Sequence, residues 1–312
     1  MTRLYALHRV QLSGESQPLY AALAAAIPGL SRRIARRAIL AGLVSSGSGA
    51  VRSPAETLPA GTTVVVDLRH GWRRAWRQLR EGPSPPVEDL KILQRDQDVC
   101  IIDKPAGLPS VPPPGQRRMP HVGSALRRLL ARQGAPAAYL GLVHRLDRDT
   151  SGCMVVACSL AAQRLLAAQF AGAAVERRYR CLVVGHPPAE QGVVRGRQGR
   201  GRDGRRSLVP DDQPGVPAQT QWQVLARWTG GCELELRLLT GRTHQARVAM
   251  ADLGCPILGD RLYGRSVPGC RAERLFLHAA TLAFDHPRHG RRLQATAPLP
   301  KAWGAGIAAL GG

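Results

Sequence analysis

The chain has 312 residues, enough for one large domain or a large and a small one, and 44% of them are hydrophobic, enough for a packed core. Lys and Arg number 44 against 22 Asp and Glu, and the net charge of +22 points to a polyanion partner, nucleic acid first; base composition can explain Arg over Lys but not basic over acidic. Seven cysteines with no Cys-x-x-Cys pair argue against a disulfide framework or a zinc site, and the absence of an apolar run near the roughly 20 residues of a membrane span or of a signal-peptide core predicts a cytoplasmic protein.

In chain order, Ser31 is positioned to cap a helix from Arg32 toward Leu40, with Gly42 just past its end. At about 100° per residue, Arg32, Arg33, Arg36 and Arg37 share one side, and Ile34, Ala35, Ala38 and Ile39 the other. The helix is thus predicted to bury one face and offer four arginines. Short strands are expected at 51–54 and 61–66, around a turn at Ser45-Ser46-Gly47-Ser48-Gly49. A basic helix, Gly42-Leu43-Val44, a turn and a strand after Leu58-Pro59-Ala60-Gly61 resemble the S4 RNA-binding module, which assigns residues 1–72 to an S4-like domain. Residues 73–88, basic and then Pro-rich, read as a linker. Beside it Trp72 and Trp76, four apart, either stack on bases or dock the linker.

Residues 89–312 have a different pattern. Leu90–Leu93, Val99–Ile102, Tyr139–Val143, Cys153–Ala157 and Arg178–Val184 are expected strands. Helices are expected over 124–132 and after Ser159, with Leu160, Leu165, Leu166 and Phe170 as the apolar positions. Residues 190–216 hold Arg195, Arg197, Arg200, Arg202, Arg205 and Arg206 among glycines. That composition cannot bury a core and predicts a mobile loop or hairpin that touches phosphates, or a solvated insertion. Alternation over Thr220–Ala226 and Glu233–Leu239 predicts antiparallel strands with Leu234, Leu236 and Leu238 on one face. A helix is expected from about His244 to Gly254 after the turn Thr240-Gly241-Arg242-Thr243.

The stretch His144-Arg145-Leu146-Asp147-Arg148-Asp149-Thr150-Ser151-Gly152 sets two carboxylates and two hydroxyls between apolar runs. Such a cluster is costly unless its groups pair with one another or with a ligand. Asp147 and Asp149 are both candidate carboxylates by spacing alone. His144, His244 and His278 match no zinc spacing and read as hydrogen-bonding structural residues.

Together, His144 to Gly152, Asp103-Lys104-Pro105-Ala106-Gly107-Leu108, Arg178-Tyr179, Gly241-Arg242-Thr243-His244-Gln245-Ala246-Arg247, Gly254 to Asp260 and Leu277-His278-Ala279 resemble the RluA-type pseudouridine synthases over about residues 96–287. The resemblance implies an α+β pseudouridine synthase fold with a mixed, mainly antiparallel sheet flanked by helices and loops. The implied activity isomerises uridines in RNA, ribosomal RNA favoured and transfer RNA possible, with no cofactor and no metal, by a monomer. By the same resemblance Asp147 is the nucleophile or base, Arg247 its ion-pair partner with Arg242 in reserve, and Tyr179 the ring that stacks on uracil. His144, Arg145, Arg242 and Leu277 are then expected at the substrate, Arg145 filling the space a flipped base leaves or holding phosphate, Leu277 on the base's other face or in the core. Asp103 in place of Asn, Ala249 in place of His and Cys153 in place of Leu depart from the pattern. A noncatalytic RNA-binding protein on the same fold and a DNA-binding protein are the alternatives.

Overall fold

A computed structural model describes residues 7–12, 17–40, 43–47, 49–51, 53, 56–68, 90–112, 119–172, 174–200, 205–210, 212–264, 268–270 and 272–312. The expected linker 73–88, with Trp76, and also Trp72 and Gly42, lie outside these residues. The chain divides into two compact units, Met1–Ser84 and Pro85–Gly312.

In the first unit, strands β1 (Leu7–Gln11), β2 (Val44–Ser46), β3 (Gly49–Ala50) and β4 (Thr63–Asp67) form an antiparallel sheet in the order β1-β4-β2-β3. Helices α1 (Leu19–Ala26) and α2 (Arg32–Leu40) complete its core. The Ser31 hydroxyl accepts the Ile34 N–H (3.3 Å), and Ala35, Ala38 and Ile39 are buried on the face read from the sequence. Arg32 and Arg36 are exposed, Arg36 lying 3.9 Å over the Tyr20 ring; the side chains of Arg33 and Arg37 are outside the described residues. Strands β2 and β3 pair as a hairpin and Val51 donates to the Val44 carbonyl (3.0 Å); residues 52 and 54 of the strand expected at 51–54 lie outside the described residues.

The second unit is built on one sheet. Its strands are β5 (Lys91–Arg95), β6 (Val99–Lys104), β7 (Gly141–Leu142), β8 (Ser151–Ala157), β9 (Glu176–Val184), β10 (Gln191–Arg200), β11 (Arg206–Val209), β12 (Val216–Trp228), β13 (Gly231–Leu238), β14 (Leu277–Asp285) and β15 (Arg292–Thr296). The order is β11-β10-β12-β13-β9-β14-β8-β6-β5, with β7 on β8 and β15 on β14; β14 and β8 run parallel and every other pair antiparallel.

The continuous apolar runs of β6 and β8 follow from burial on both faces. Cys100, Ile102, Met154 and Val156 pack on one side with α3 (Val122–Arg132) and α5 (Gln245–Asp252). Val99, Ile101, Cys153 and Val155 pack on the other with α4 (Leu160–Ala171) and β15. Ser159 caps α4, accepting the Ala162 N–H at 3.1 Å. The last helix, α6 (Trp303–Ala309), buries Trp303 against Phe276 and Leu182. Among the described residues no helix is long and apolar enough to cross a membrane.

Of the alternatives for residues 190–216 the hairpin is the one present: they are mostly the β10–β11 hairpin and the start of β12, with Gln198 buried. At a sheet edge such strands need few apolar residues, since the backbone ladder satisfies their polar groups. The strand expected over Tyr139–Val143 shrinks to Gly141–Leu142, because Gln163 donates to the Leu142 carbonyl (3.1 Å) and the His144 imidazole, not a backbone carbonyl, accepts the Val155 N–H (3.0 Å).

Candidate active site

The His144–Thr150 loop leaves the sheet between β7 and β8. Its backbone is held from below by the Lys104–Ser110 turn. Lys104 is fully buried, and its ammonium donates to the carbonyls of Pro105 (2.9 Å), Leu108 (2.9 Å) and Arg148 (3.0 Å). The Ser110 hydroxyl donates to the Leu146 carbonyl (2.7 Å) and accepts the Leu146 N–H (3.0 Å). Gly107 donates to the Arg148 carbonyl (2.8 Å). The Lys-Pro-Ala-Gly-Leu segment therefore fixes the residues on either side of Asp147.

Burial pulls the Lys104 ammonium down to about 7 from 10.5, against the pull of Asp149 and Asp147. A base whose folded value lies below its unfolded one costs stability at and below the folded value, and that cost fades as pH rises toward the unfolded value. Lys104→Met is expected to destabilise the chain by about 2–3 kcal/mol at neutral pH, because three carbonyls lose their donor. The gap between wild type and variant is expected to widen between about pH 7 and about pH 9. Urea unfolding at the two pH values checks this, and a gap that stays constant or narrows counts against it.

Gly152 opens the centre of the sheet. Its φ is +111°, and a Cβ there would stand 2.3 Å from the Ala279 carbonyl oxygen, so only glycine lets β8 lie beside β14. Next to it, Arg274 donates to the Ser151 hydroxyl (2.8 Å), Ser151 meets His278 Nδ1 (2.9 Å), and His278 Nε2 faces the Ala297 carbonyl (3.3 Å). Burial holds His278 down to about 4, so it stays neutral and joins three strands.

The Gly241–Gln245 turn brings the other half of the site. Gln245 Oε1 accepts from the Thr240 hydroxyl (2.7 Å) and the Arg242 N–H (2.9 Å), while its amide donates to the Gln219 carbonyl (3.0 Å) and the Thr220 hydroxyl (3.1 Å). This staple starts α5 and aims Arg247 at the loop. Arg247 Nη1 lies 3.6 Å from Asp147 Oδ2, and its Nε and Nη2 donate bidentately to Asp260 at 2.7 Å each. Asp260 also accepts the N–H groups of Leu262 (2.9 Å) and Tyr263 (3.0 Å). Burial pushes its carboxyl up, but Arg247 and these N–H groups hold it below the usual carboxylate range. Asp260 thus keeps the buried guanidinium of Arg247 charged and oriented, and Arg247 meets Asp147 with its remaining edge.

His244 adds a third group. It is the only non-glycine with positive φ (61°) among the described residues, and its Nδ1 meets the Tyr263 hydroxyl (2.9 Å) while Nε2 lies 3.9 Å from Asp147 Oδ1. The Tyr263 contact holds the ring with Nε2 facing Asp147. Burial lowers its pKa against the pull of Asp147.

Asp147 borders a cavity of about 340 Å³ that Val143, His144, Arg145, Phe170, Arg177, Tyr179 and residues 238–243 also line. Tyr179 is buried there at 8% exposure, and burial pushes its phenol up to about 12, so it keeps its proton at neutral pH. Asp149 is bound instead to Arg148 (2.7 Å) with its side chain 44% exposed, which separates the two carboxylates the sequence left open.

Of the expected substrate residues, Arg145 and Arg242 are exposed at the cavity. Arg242 is not a second partner of Asp147: its Nε donates to the Pro217 carbonyl (3.0 Å). His144 lines the cavity, but its Nε2 is taken by Val155 and its ring stacks on Phe170 at 4.3 Å. Leu277 is a core residue at 3% exposure and is not among the cavity's lining, so the reading that puts it on a base face is corrected to the core one. Among the histidines read as structural, His278 is, and His244 faces Asp147. Asp103, Ala249 and Cys153, the departures, do not line the cavity either.

The sequence reading gave no role to Asp260, Tyr263 or Arg177. Asp260 sits in a motif already noted, Tyr263 follows three residues on, and alternation along β9 would have put Arg177 on the face of Tyr179. Among the described residues one group, Asp96, Asp98 and His286, has the spacing to hold a metal. Its atoms serve each other: Arg288 pairs with Asp98 (2.5 Å), and His286 Nε2 meets Asp96 (3.0 Å).

The sequence model of a family described as RNA pseudouridylate synthase matches residues 98–252. The chain is 35% identical over 291 residues to the ribosomal large subunit pseudouridine synthase D of Zymomonas mobilis, covering 90% of this chain and 89% of that one. It is 37% identical over 220 residues to the dual-specificity RNA pseudouridine synthase RluA of Escherichia coli, covering 70% of this chain and 97% of that one. Among solved structures, human RNA pseudouridylate synthase domain containing 4 superposes with a TM-score of 0.59 at 28% identity, covering 70% of this chain and 92% of that one.

Proposed function

Because this chain belongs to the RNA pseudouridine synthase family and is an RNA-modifying isomerase, we propose that Asp147 is its reacting carboxylate and ribosomal RNA its substrate. The observation that carries the first part is Asp147 at the edge of a cavity walled by Tyr179, with Arg247 at 3.6 Å braced by Asp260. The reaction breaks the N1–C1′ bond of a uridine, turns the base and joins C5 to C1′. It consumes nothing, so a carboxylate, a stacking ring and charge control are sufficient groups. Asp147 takes C1′ or a sugar proton. Tyr179, its phenol protonated, covers the uracil ring and is available as a proton donor.

A uridine reaches such a cavity only after leaving its stack, at a cost of about a few kcal/mol that backbone contacts offset. Arg145 and Arg242 at the cavity suit phosphates. So does the β10–β11 hairpin, which Gln198 ties to the Thr243 carbonyl (2.6 Å) beside the site. The first unit, with Arg32 and Arg36 exposed on helix α2, acts as an S4-like RNA-binding module. The enzyme works as a monomer in the cytoplasm without cofactor or metal.

The large ribosomal subunit named for the Zymomonas relative, whose match spans most of both chains, favours ribosomal over transfer RNA. Incubation of the chain with a large-subunit ribosomal RNA transcript and with unmodified transfer RNA, followed by mapping of pseudouridine, tests this. New pseudouridine in the ribosomal transcript is expected. Modification confined to transfer RNA overturns the substrate assignment.

A further inference from the structure

Strand β9 sets residues 177, 179 and 181 on one face. Cys181 lies in the core, Tyr179 walls the cavity, and Arg177 lines the cavity as well. A half-buried guanidinium on such a row calls for partners. Arg177 lacks them: its Nη2 reaches the Leu238 carbonyl at 3.4 Å, its Nε is buried with no hydrogen bond, and among the described residues it forms no ion pair.

The structure keeps room for this side chain. A Cβ at Gly241 would stand 2.6 Å from Arg177 Nη1, so the glycine of Gly241-Arg242-Thr243 leaves the guanidinium its present position without a shift. The other cavity cations are placed for other work. Arg145 and Arg242 are exposed, and Arg247, beside the cavity, is committed to Asp260 and Asp147.

We propose that Arg177 donates hydrogen bonds to a carbonyl oxygen of the everted uracil and stabilises the negative charge the ring carries while it is detached from the ribose. This rests on Asp147 being the reacting carboxylate. When the N1–C1′ bond breaks, its electron pair stays with the base, shared between N1 and the carbonyl oxygens. C1′ bonds to an Asp147 oxygen, or the ribose gives a proton to that carboxylate. After the ring turns, the pair forms the C5–C1′ bond, and the carboxylate is released or returns its proton. The C5 proton then leaves to solvent as N1 gains one, so uridine and product have the same atoms. Asp147 cannot hold the anion, being itself negative, and Arg247 is bonded to Asp260 through Nε and Nη2 with Nη1 facing Asp147. A guanidinium already placed in the cavity stabilises such charge better than solvent that must reorganise around it.

Single-turnover rates on a large-subunit ribosomal RNA transcript made with uridine or with 5-fluorouridine test the proposal, following loss of the starting nucleoside. Fluorine withdraws charge, so 5-fluorouracil leaves more readily as an anion and needs the cation less. Arg177→Gln is expected to slow the uridine reaction about 10²-fold, with RNA affinity by filter binding unchanged and a smaller loss on the fluorinated transcript. Arg177→Lys, which keeps the charge and leaves less for folding to lose, is expected to show an intermediate loss with the same substrate dependence. A residue that merely shapes the cavity loses equally on both substrates. Equal losses in both variants, or none, overturn the proposal. Failure of the wild-type chain to act on the uridine transcript counts instead against the assigned reaction and substrate, and is visible before any variant is compared.

Discussion

Asp147→Asn is expected to abolish pseudouridine formation while the fold and RNA binding persist. The amide has the shape of the carboxylate, and the Asp147 carbonyl still accepts the Thr150 N–H. The side chain's contacts are loose, 3.6 Å to Arg247 and 3.9 Å to His244, and Arg247 keeps both bonds to Asp260. Stability is therefore expected to change by less than about 1 kcal/mol. An amide neither bonds C1′ nor takes a proton from the sugar, so turnover is expected to fall by roughly 10⁴-fold or more, about 5 kcal/mol in barrier. Tritium release from C5-labelled RNA reads the chemistry, filter binding the affinity and urea unfolding the fold. Turnover at the wild-type level would remove Asp147 from the reaction.

Gly152→Ala is expected to cost more than about 4 kcal/mol. Two penalties add. With φ at +111° the backbone conformation excludes a side chain, and the new Cβ would meet the Ala279 carbonyl oxygen at 2.3 Å and its nitrogen at 2.7 Å. Both atoms belong to β14, which is fixed between β8 and β9. Gly134→Ala is the control: φ is +68° and nothing lies within 4 Å of the Cβ position, so only the backbone penalty of about 1–2 kcal/mol applies. Thermal melting of the two variants distinguishes them. Equal losses would mean that the strands do not need their close approach at Gly152.

The elements that were legible in the sequence are those whose burial leaves a local mark. Strand β8, buried at every residue, is a continuous apolar run bounded by Gly152 and Ser159. Helix α4 has its capping serine, and β13 alternates. The hairpin at 191–209 was one of three alternatives left open by its composition, because edge strands are held by backbone pairing and can carry arginine on every other residue. Arg247 was found through its motif, but its pairing with Asp260 joins positions thirteen residues apart, which no periodicity links. For Leu277 the sequence left the base's face and the core open, and its register opposite Cys181 on β9 puts it in the core. The order of the strands was hidden altogether, since it depends on which distant edges meet.

That order has a consequence for synthesis. Strand β14 is the seam between β6–β8, whose preceding loop carries Asp147, and β9–β13, which carries Tyr179 and Arg177. A nascent chain that has not yet delivered residues 277–285 holds two half-sheets with exposed edges at β8 and β9. The carboxylate and the ring it works with come together only once this late segment slots between them. A chain stopped before β14 is therefore expected to be a single truncated polypeptide with two unpaired sheet edges and an unassembled site.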